Sequence, residues 1–284
     1  MTKFKKHIII VGSARSGTSW LAETIAKQHR YRLLFEPDHE FQTKNGVLLC
    51  DKWIESRADA PQAFNYLDKV FTNRVANDWI AQNSNRKWKR HLWPVIPIKF
   101  VIKFVRTNLM ASAINKEFGI PVLHIIRNPY DTIASQHRVK FPWLYDLSHF
   151  EKQTKLVALV ENTFHINLKQ CDSFSDIEKL ALRWCLENVI PIEILKIENE
   201  NYRVVKHEDL RADINIFKEL CTQFELQPID NLESIYRAPS SKTHPKSEVI
   251  TKKNKTELFN LEDYEKINNI LDIFKTNLYS QKQL

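Results

Sequence analysis

Glycine is scarce in this chain. Average usage near 7% would give roughly 20 glycines at this length, yet 284 residues carry four: Gly12, Gly17, Gly46 and Gly119. Two of them bound one six-residue segment, so the backbone there has a need that other residues meet poorly. Cysteine is as sparse. Cys50, Cys171, Cys185 and Cys221 show no Cys-x-x-Cys spacing, which argues against a disulfide framework or a thiolate metal cluster and fits a reduced, cytoplasmic setting. Long apolar runs are missing too. No stretch approaches the roughly 18 consecutive apolar residues of a membrane span. The run Ile8 to Val11, preceded by Lys3, Lys5 and Lys6, is too short for a signal-peptide core. What is present is a globular balance of 43% hydrophobic and 27% charged residues, which excludes disordered and collagen-like chains. Basic residues exceed acidic ones by 42 − 34 = 8, an excess that favours an anionic ligand without naming it.

Strand and helix patterns alternate along the chain. Ile8 to Val11 reads as a buried parallel strand, and Trp20 to His29 as the helix after it. Pro61 to Gln82 reads as one helix, Ile98 to Val105 as a strand, Leu109 to Phe118 as a helix ending before Gly119, and Pro121 to Ile126 as another buried strand. Asn128-Pro129 then opens a helix with a cap and a proline in the first turn. Ser175 with Glu178 forms a capping box, Tyr202 to Val205 is a strand, and Asp263 to Leu278 is an amphipathic helix. Asp230 to Thr256 is polar and reads as a long loop. The alternation predicts a single α/β domain over residues 1–284, with a central, mostly parallel sheet flanked by helices.

The most informative segment is Val11-Gly12-Ser13-Ala14-Arg15-Ser16-Gly17-Thr18-Ser19-Trp20. A buried strand enters a glycine-bounded turn and passes directly into a helix, so inward backbone N–H groups and the helix N-terminus make an anion cradle. Gly12-x4-Gly17 has the spacing of a P-loop, but Thr18 stands where a nucleotide triphosphatase carries lysine. Arg15 is the positive charge available in its place.

Arg15-Ser16-Gly17-Thr18-Ser19-Trp20 resembles the 5′-phosphosulfate loop of sulfotransferases that use 3′-phosphoadenosine 5′-phosphosulfate (PAPS). The resemblance implies a P-loop-like nucleotide-binding fold. It implies that Arg15 contacts the 5′-phosphate and bridging oxygen, that Ser16, Gly17, Thr18 and Ser19 hold the phosphate, and that Trp20 stacks on adenine. A second segment, Ile126-Arg127-Asn128-Pro129 with Ser135, places an arginine at the carboxyl end of a buried strand, where open α/β sheets bind ligands. Its Arg-x7-Ser spacing resembles the 3′-phosphate site of the same family, in which a guanidinium fork pairs with phosphate oxygens. His207-Glu208-Asp209 resembles the family's Tyr-Glu-Asp segment beside adenine, with His207 in place of tyrosine. Ser240, Ser241 and Lys242 stand where members close a loop over the nucleotide.

Sulfuryl transfer needs a base for the acceptor, a cation near the bridging oxygen, and in-line placement. Leu33-Leu34-Phe35-Glu36-Pro37 resembles the segment that carries the catalytic glutamate of glycan sulfotransferases, so Glu36 is the expected base. Cytosolic members use a histidine two residues after a strand lysine. Here that stretch reads Lys103-Phe104-Val105, leaving the lysine to steady the sulfuryl group and no histidine to act. Asp38, His39 and Glu40 are expected to help hold the acceptor. No metal is expected. The implied products are the 3′,5′-bisphosphate (PAP) and a sulfated small molecule, glycolipid or glycan, the acceptor itself staying open. Two other classes fit less well: a P-loop kinase or triphosphatase, which lacks its lysine, and a nucleic-acid-binding module, which the net charge of +8 permits but no motif supports. Lys252, Lys253 and Lys255 read as a solvated charge run, and Trp184 as a core residue.

Overall fold

Five short parallel strands make one sheet in the computed structural model, which describes residues 4, 6–28, 30–82, 99–196, 200–228, 230–243, 245 and 259–280. Lys252, Lys253 and Lys255, and the expected element ends at His29 and Ile98, lie outside those residues. Strand β1 (Ile8–Val11) leads through a turn to α1 (Thr18–Ala26), followed by β2 (Tyr31–Phe35), α2 (Pro61–Phe71) and α3 (Asp78–Ala81). Next come β3 (Lys99–Lys103), α4 (Ala111–Phe118), β4 (Val122–Ile126) and α5 (Pro129–Val139). Short α6 (Pro142–Tyr145) and α7 (Ser148–Glu151) lead to α8 (Thr154–Phe164) and α9 (Asp176–Val189). Strand β5 (Tyr202–Lys206) precedes α10 (His207–Ala212), α11 (Ile214–Gln223), α12 (Leu232–Arg237) and α13 (Leu261–Phe274).

The strand order is β2-β3-β1-β4-β5, and each neighbouring pair is parallel. Parallel strands need crossovers, and the crossover helices cover both faces. In β1 the side chains alternate between them. Ile8 and Ile10 pack with Leu21 and Ile25 of α1 and Phe217 of α11, while Ile9 and Val11 pack with Phe64 of α2 and Ile114 of α4. A further apolar cluster joins α5, α8, α9 and α13. Among the described residues, no helix is long and apolar enough to cross a membrane.

Two expectations need correction, and one strand was not anticipated. Pro61 to Gln82 is two helices, because α2 ends at Thr72, whose hydroxyl donates to the Asp68 carbonyl, and Asn73 turns left-handed before Asn77 caps α3. Within the expected loop from Asp230 lies α12, anchored by the buried ring of Tyr236. The segment before Glu36 is a strand, β2, pairing along its whole length with β3.

Two buried histidines tie the sheet to its surroundings as neutral rings. His7 accepts the Phe100 amide on Nδ1 at 3.3 Å and donates from Nε2 to the Phe71 carbonyl at 3.0 Å, a pair of roles that a protonated ring cannot fill. Burial drives its pKa down to about 4. His124 in β4, with Nδ1 2.8 Å from the Tyr202 hydroxyl, is driven down to about 3 by burial. In the unfolded chain both rings take up a proton near pH 6.5, so acid favours unfolding and stability falls as the pH drops from about 6.5 towards 4. Asp38, raised to about 6 by burial, opposes this below about pH 6 but is one group against two. Urea unfolding at pH 5 is therefore expected to give a lower stability than at pH 7, with each histidine contributing about 2 kcal/mol to the loss. A stability at pH 5 equal to or above that at pH 7 would contradict this.

Candidate functional site

The carboxyl ends of β1, β3 and β4 lie side by side, and the turn after β1 is packed too closely for side chains at its two glycines. A Cβ on Gly12 would stand 2.2 Å from the Ile125 carbonyl oxygen of β4. One on Gly17 would stand 2.4 Å from the His207 ring, and Gly17 has φ +97°. Gly17 also caps α1 without any side-chain hydrogen bond, so the first-turn N–H groups are left to whatever enters the turn. The Ser16 hydroxyl is already committed, donating to the Ser13 carbonyl at 2.7 Å.

The two segments expected to bind anions meet. Arg15 donates from Nε to the Ser135 hydroxyl at 3.1 Å, and Arg127 donates from Nη1 to the Arg15 carbonyl at 3.2 Å. Gln136 of α5 holds the Ala14 carbonyl at 2.9 Å. Arg127 has a buried Nε with no hydrogen-bond partner among the described residues. Burial, and after it the charges of Arg127 and Arg138, push the Arg15 guanidinium below its ordinary pKa. An anion among these cations would relieve that repulsion.

Arg15, Gly17, Thr18, Ser19, Trp20 and Arg127 line one cavity of about 720 Å³, together with Glu36 and Lys103. Ser16 and Ser135 lie behind its wall, Ser135 facing Arg15. Trp20 belongs to the wall and also to the core. It is buried, donates from Nε1 to the Tyr236 carbonyl at 3.0 Å, and has the Arg211 guanidinium over its ring. His207 lines the same region, and burial first, then Arg127, drive it down to about 4, so it stays a neutral ring at neutral pH. Arg211 and Arg237 add charge to the lining, and Lys242, beside Ser240, reaches across to the Phe35 ring and the Gln82 side-chain carbonyl.

Across the turn, β2 and β3 are in register with Phe35 opposite Lys103. Glu36 follows Phe35, its amide donating to the Lys103 carbonyl at 2.9 Å and its carboxylate ion-paired with the Lys103 ammonium. That ammonium also lies 4.4 Å from the centre of the Phe35 ring. Glu36 holds φ +44°, a left-handed conformation uncommon for a non-glycine residue. Asp38 lies outside the cavity wall and ties loops together: its Oδ2 accepts from the amides of Val105 (2.9 Å) and Arg106 (2.6 Å) and from the Thr107 hydroxyl (2.9 Å). His39 does reach the cavity. Glu40 turns away, accepting from Arg106 at 2.6 Å and pairing with His149 at 2.8 Å. Glu40, Cys50 and His149 bring possible metal-ligand atoms within 4.8 Å of one another. They suit a cation poorly, because Arg106 already occupies Glu40 and burial pushes the Cys50 thiol up, away from the thiolate form.

Trp79, Phe141 and Trp143 complete the wall on this side, residues that sequence reasoning missed. The one signal for them was the aromatic pair Phe141-Pro142-Trp143 at a helix start. Their chemistry is apolar, and the one acid–base pair among them, Glu36 and Lys103, is internally neutralised.

No protein-family model matches the chain, and no curated protein matches it. Similar solved structures do exist. One is the mouse sulfotransferase SULT7A1 complexed with PAP, at 14% identity over 96% of this chain and 85% of that one, TM-score 0.44. Another is the sulfotransferase domain from the curacin biosynthetic pathway, at 12% identity over 96% and 98%, TM-score 0.48. A third is sulfotransferase STF9 from Mycobacterium avium, at 9% identity over 99% and 79%, TM-score 0.46. All three are sulfotransferases.

The packing of Gly17 generates a test. Gly17→Ala is expected to destabilise the protein by about 2 kcal/mol or more, through the His207 clash and the left-handed backbone together. Adding His207→Ala should recover the steric part and leave about 1 kcal/mol of backbone cost. Urea unfolding of the three proteins measures both, and a Gly17→Ala variant as stable as the parent would contradict the turn geometry.

Proposed function

We propose that the chain transfers a sulfuryl group from PAPS to a hydroxyl or amine of a small, uncharged acceptor. One observation carries the reading: the glycine-bounded turn and the Arg127/Ser135 segment meet at Arg15, on the same cavity as the Glu36–Lys103 pair. The donor has a 5′-phosphosulfate and a 3′-phosphate, so it asks for two anion-binding segments at one site. In this reading the N–H groups at the start of α1, with Thr18 and Ser19, hold the 5′-phosphate, and Arg127 serves the 3′-phosphate, with Ser135 behind the wall steadying Arg15. Thr18 in place of the P-loop lysine speaks against a triphosphatase.

The division of charge assigns the roles. On the β4 side Arg15, Arg127 and Arg211 favour an anion, while Lys242 reaches over the Phe35 ring and donates to Gln82. On the β3 side the charges are paired and the walls are Phe35, Trp79, Phe141 and Trp143, which suits an acceptor with an apolar body. Glu36 takes the acceptor proton as the acceptor atom bonds to sulfur. The bond from sulfur to the bridging oxygen breaks, and its electron pair leaves with PAP, where Arg15 and Lys103 stabilise the new charge. The contact with Lys103 holds the Glu36 carboxylate in place until the acceptor arrives. No metal is needed for these steps. The four cysteines, all free and buried, fit a cytoplasmic setting.

Calorimetric titration tests the donor site. PAP is expected to bind at least about 10-fold more tightly than adenosine 5′-phosphate, a difference of about 1.4 kcal/mol. Equal affinities would remove the 3′-phosphate site. Glu36→Gln is expected to keep PAP affinity while sulfate transfer from labelled PAPS falls by about 10²–10⁴-fold. Parental turnover in that variant would remove Glu36 as the base.

A further inference from the structure

The cavity's two sides are held by one helix, and a single buried arginine on it grips the acceptor side. Helix α9 carries two pairs of side chains spaced by four residues. Trp184 and Asn188 reach the donor side: Trp184 donates from Nε1 to the Arg127 carbonyl at 3.1 Å, and Asn188 from Nδ2 to the Ser13 hydroxyl at 2.9 Å. Arg183 reaches the other side, and Glu187 lies between the two, facing both Arg183 and Ser13. Arg183 is fully buried, and each of its five N–H groups has an acceptor. Nε donates to the Leu144 carbonyl (2.9 Å), and Nη2 to the carbonyls of Trp143 (3.0 Å) and Asp146 (2.6 Å). Nη1 donates to Glu187 (2.9 Å) and Asp51 (3.3 Å). Asp51 passes the link on, since its Oδ2 also accepts twice from Arg106, which holds Glu40 and, through its amide, Asp38. Burial works to raise the Asp51 pKa, but Arg183 and Arg106 outweigh it and hold the carboxylate ionised.

Resting on the donor and acceptor assignment above, we infer that Arg183 is a positioning residue: it sets the Trp143 wall and the loop that follows Glu36 at a fixed distance from the donor turn. Three carbonyls of the 143–146 segment converge on one planar fork, and a lysine could not satisfy them together with two carboxylates. Both ends of the cavity thereby share one rigid ruler, with residue 183 at the acceptor side, 184 and 188 at the donor side and 187 between them.

Arg183→Met alone would strand Glu187 in the core and is a poor test. Arg183→Met/Glu187→Leu removes the two charges together, keeps similar volume, and leaves Asp51 paired with Arg106. The readouts are thermal melting, PAP titration, kinetics with PAPS and 2-naphthol as acceptor probe, and the fluorine resonance of 5-fluorotryptophan at Trp143, identified by its loss in Trp143→Phe. Expected are a folded protein whose PAP affinity stays within about threefold, with the KM for 2-naphthol raised about 10-fold and the Trp143 line shifted or broadened. Parental KM and Trp143 line in the folded double variant would overturn the inference, as would an equal loss of PAP and 2-naphthol binding. If the double variant does not fold, Arg183→Lys, which keeps a cation beside Glu187 and Asp51 but loses the planar fork, takes its place. A shifted ligand-free Trp143 line and a raised KM for 2-naphthol in that variant, with PAP affinity kept within about threefold, support the shared ruler, and a parental line and KM overturn it. Failure of the parent to bind PAP would instead refute the proposed function, and the ligand-free Trp143 line of the folded double variant would still decide the role of Arg183.

Discussion

Parallel pairing of β1 with both β3 and β4 is the constraint on which the site depends. All strands point the same way, so their carboxyl ends open on one edge, and β1 in the centre brings its turn between Lys103 and Arg127. The approach is close enough that Gly12 has a β4 carbonyl where a side chain would be. Moving β1 by one residue would exchange its two faces, taking Ile8 and Ile10 away from α1 and exposing the mismatch across the whole core. The hydrophobic register of four residues thus fixes where the cations of the turn stand relative to β4, and the β2–β3 register does the same for Glu36 beside Lys103.

Around this edge, charge is handled in two opposite ways. Beneath the Glu36–Lys103 side, Arg106 and Arg183 are matched by Asp51, Glu187 and Glu40, with nearly every polar hydrogen assigned. Such a network is costly to desolvate and contributes little net stability, but its geometry is rigid. At the turn after β1, Arg15 and Arg127 are partly buried neighbours of like sign, with Asp131 3.7 Å from Arg127 as the modest counterweight. The first arrangement resists movement and the second invites a ligand. A cavity joining the two has a fixed wall and an electrostatically unfinished one.

Much of this was legible in the residues. The strand–turn–helix of residues 8–26, the cap at Asn128 and the capping box at Ser175 follow from local rules, and the structure has all three. The meeting of Arg15 with the Arg127 segment was legible too, because both follow buried strands. What escaped was set by tertiary contact. Strand β2 carries exposed Arg32 among four buried residues, too short a pattern to separate from the end of a helix. Asp38 looked like a ligand-holding acid and is a clamp, because its partners, the amides of Val105 and Arg106, are distant in sequence. Arg183 lay within an apolar helix stretch, where nothing local announces that five acceptors await it. Ser16 has the right sequence for a phosphate contact, yet the tightness of its own turn claims the hydroxyl.

The scarcity of glycine bears on the last point. Left-handed backbone costs a non-glycine residue about 1–2 kcal/mol, and several such residues here, among them Lys140, His165 and Lys275, simply end helices. Arg15 (φ +72°) and Glu36 (φ +44°) do not: each follows the carboxyl end of a strand and lines the cavity. Glycine would relax either turn, but it would remove the guanidinium from the anion cradle or the carboxylate from Lys103. Strain kept at two points of one cavity, where a simpler residue would fold more easily, is what a chain pays to hold side chains in place for chemistry. Because the strained backbone of Glu36 is also bonded to the Lys103 carbonyl, its carboxylate has little freedom to leave the pair, and the base of the proposed reaction stands oriented before any acceptor enters.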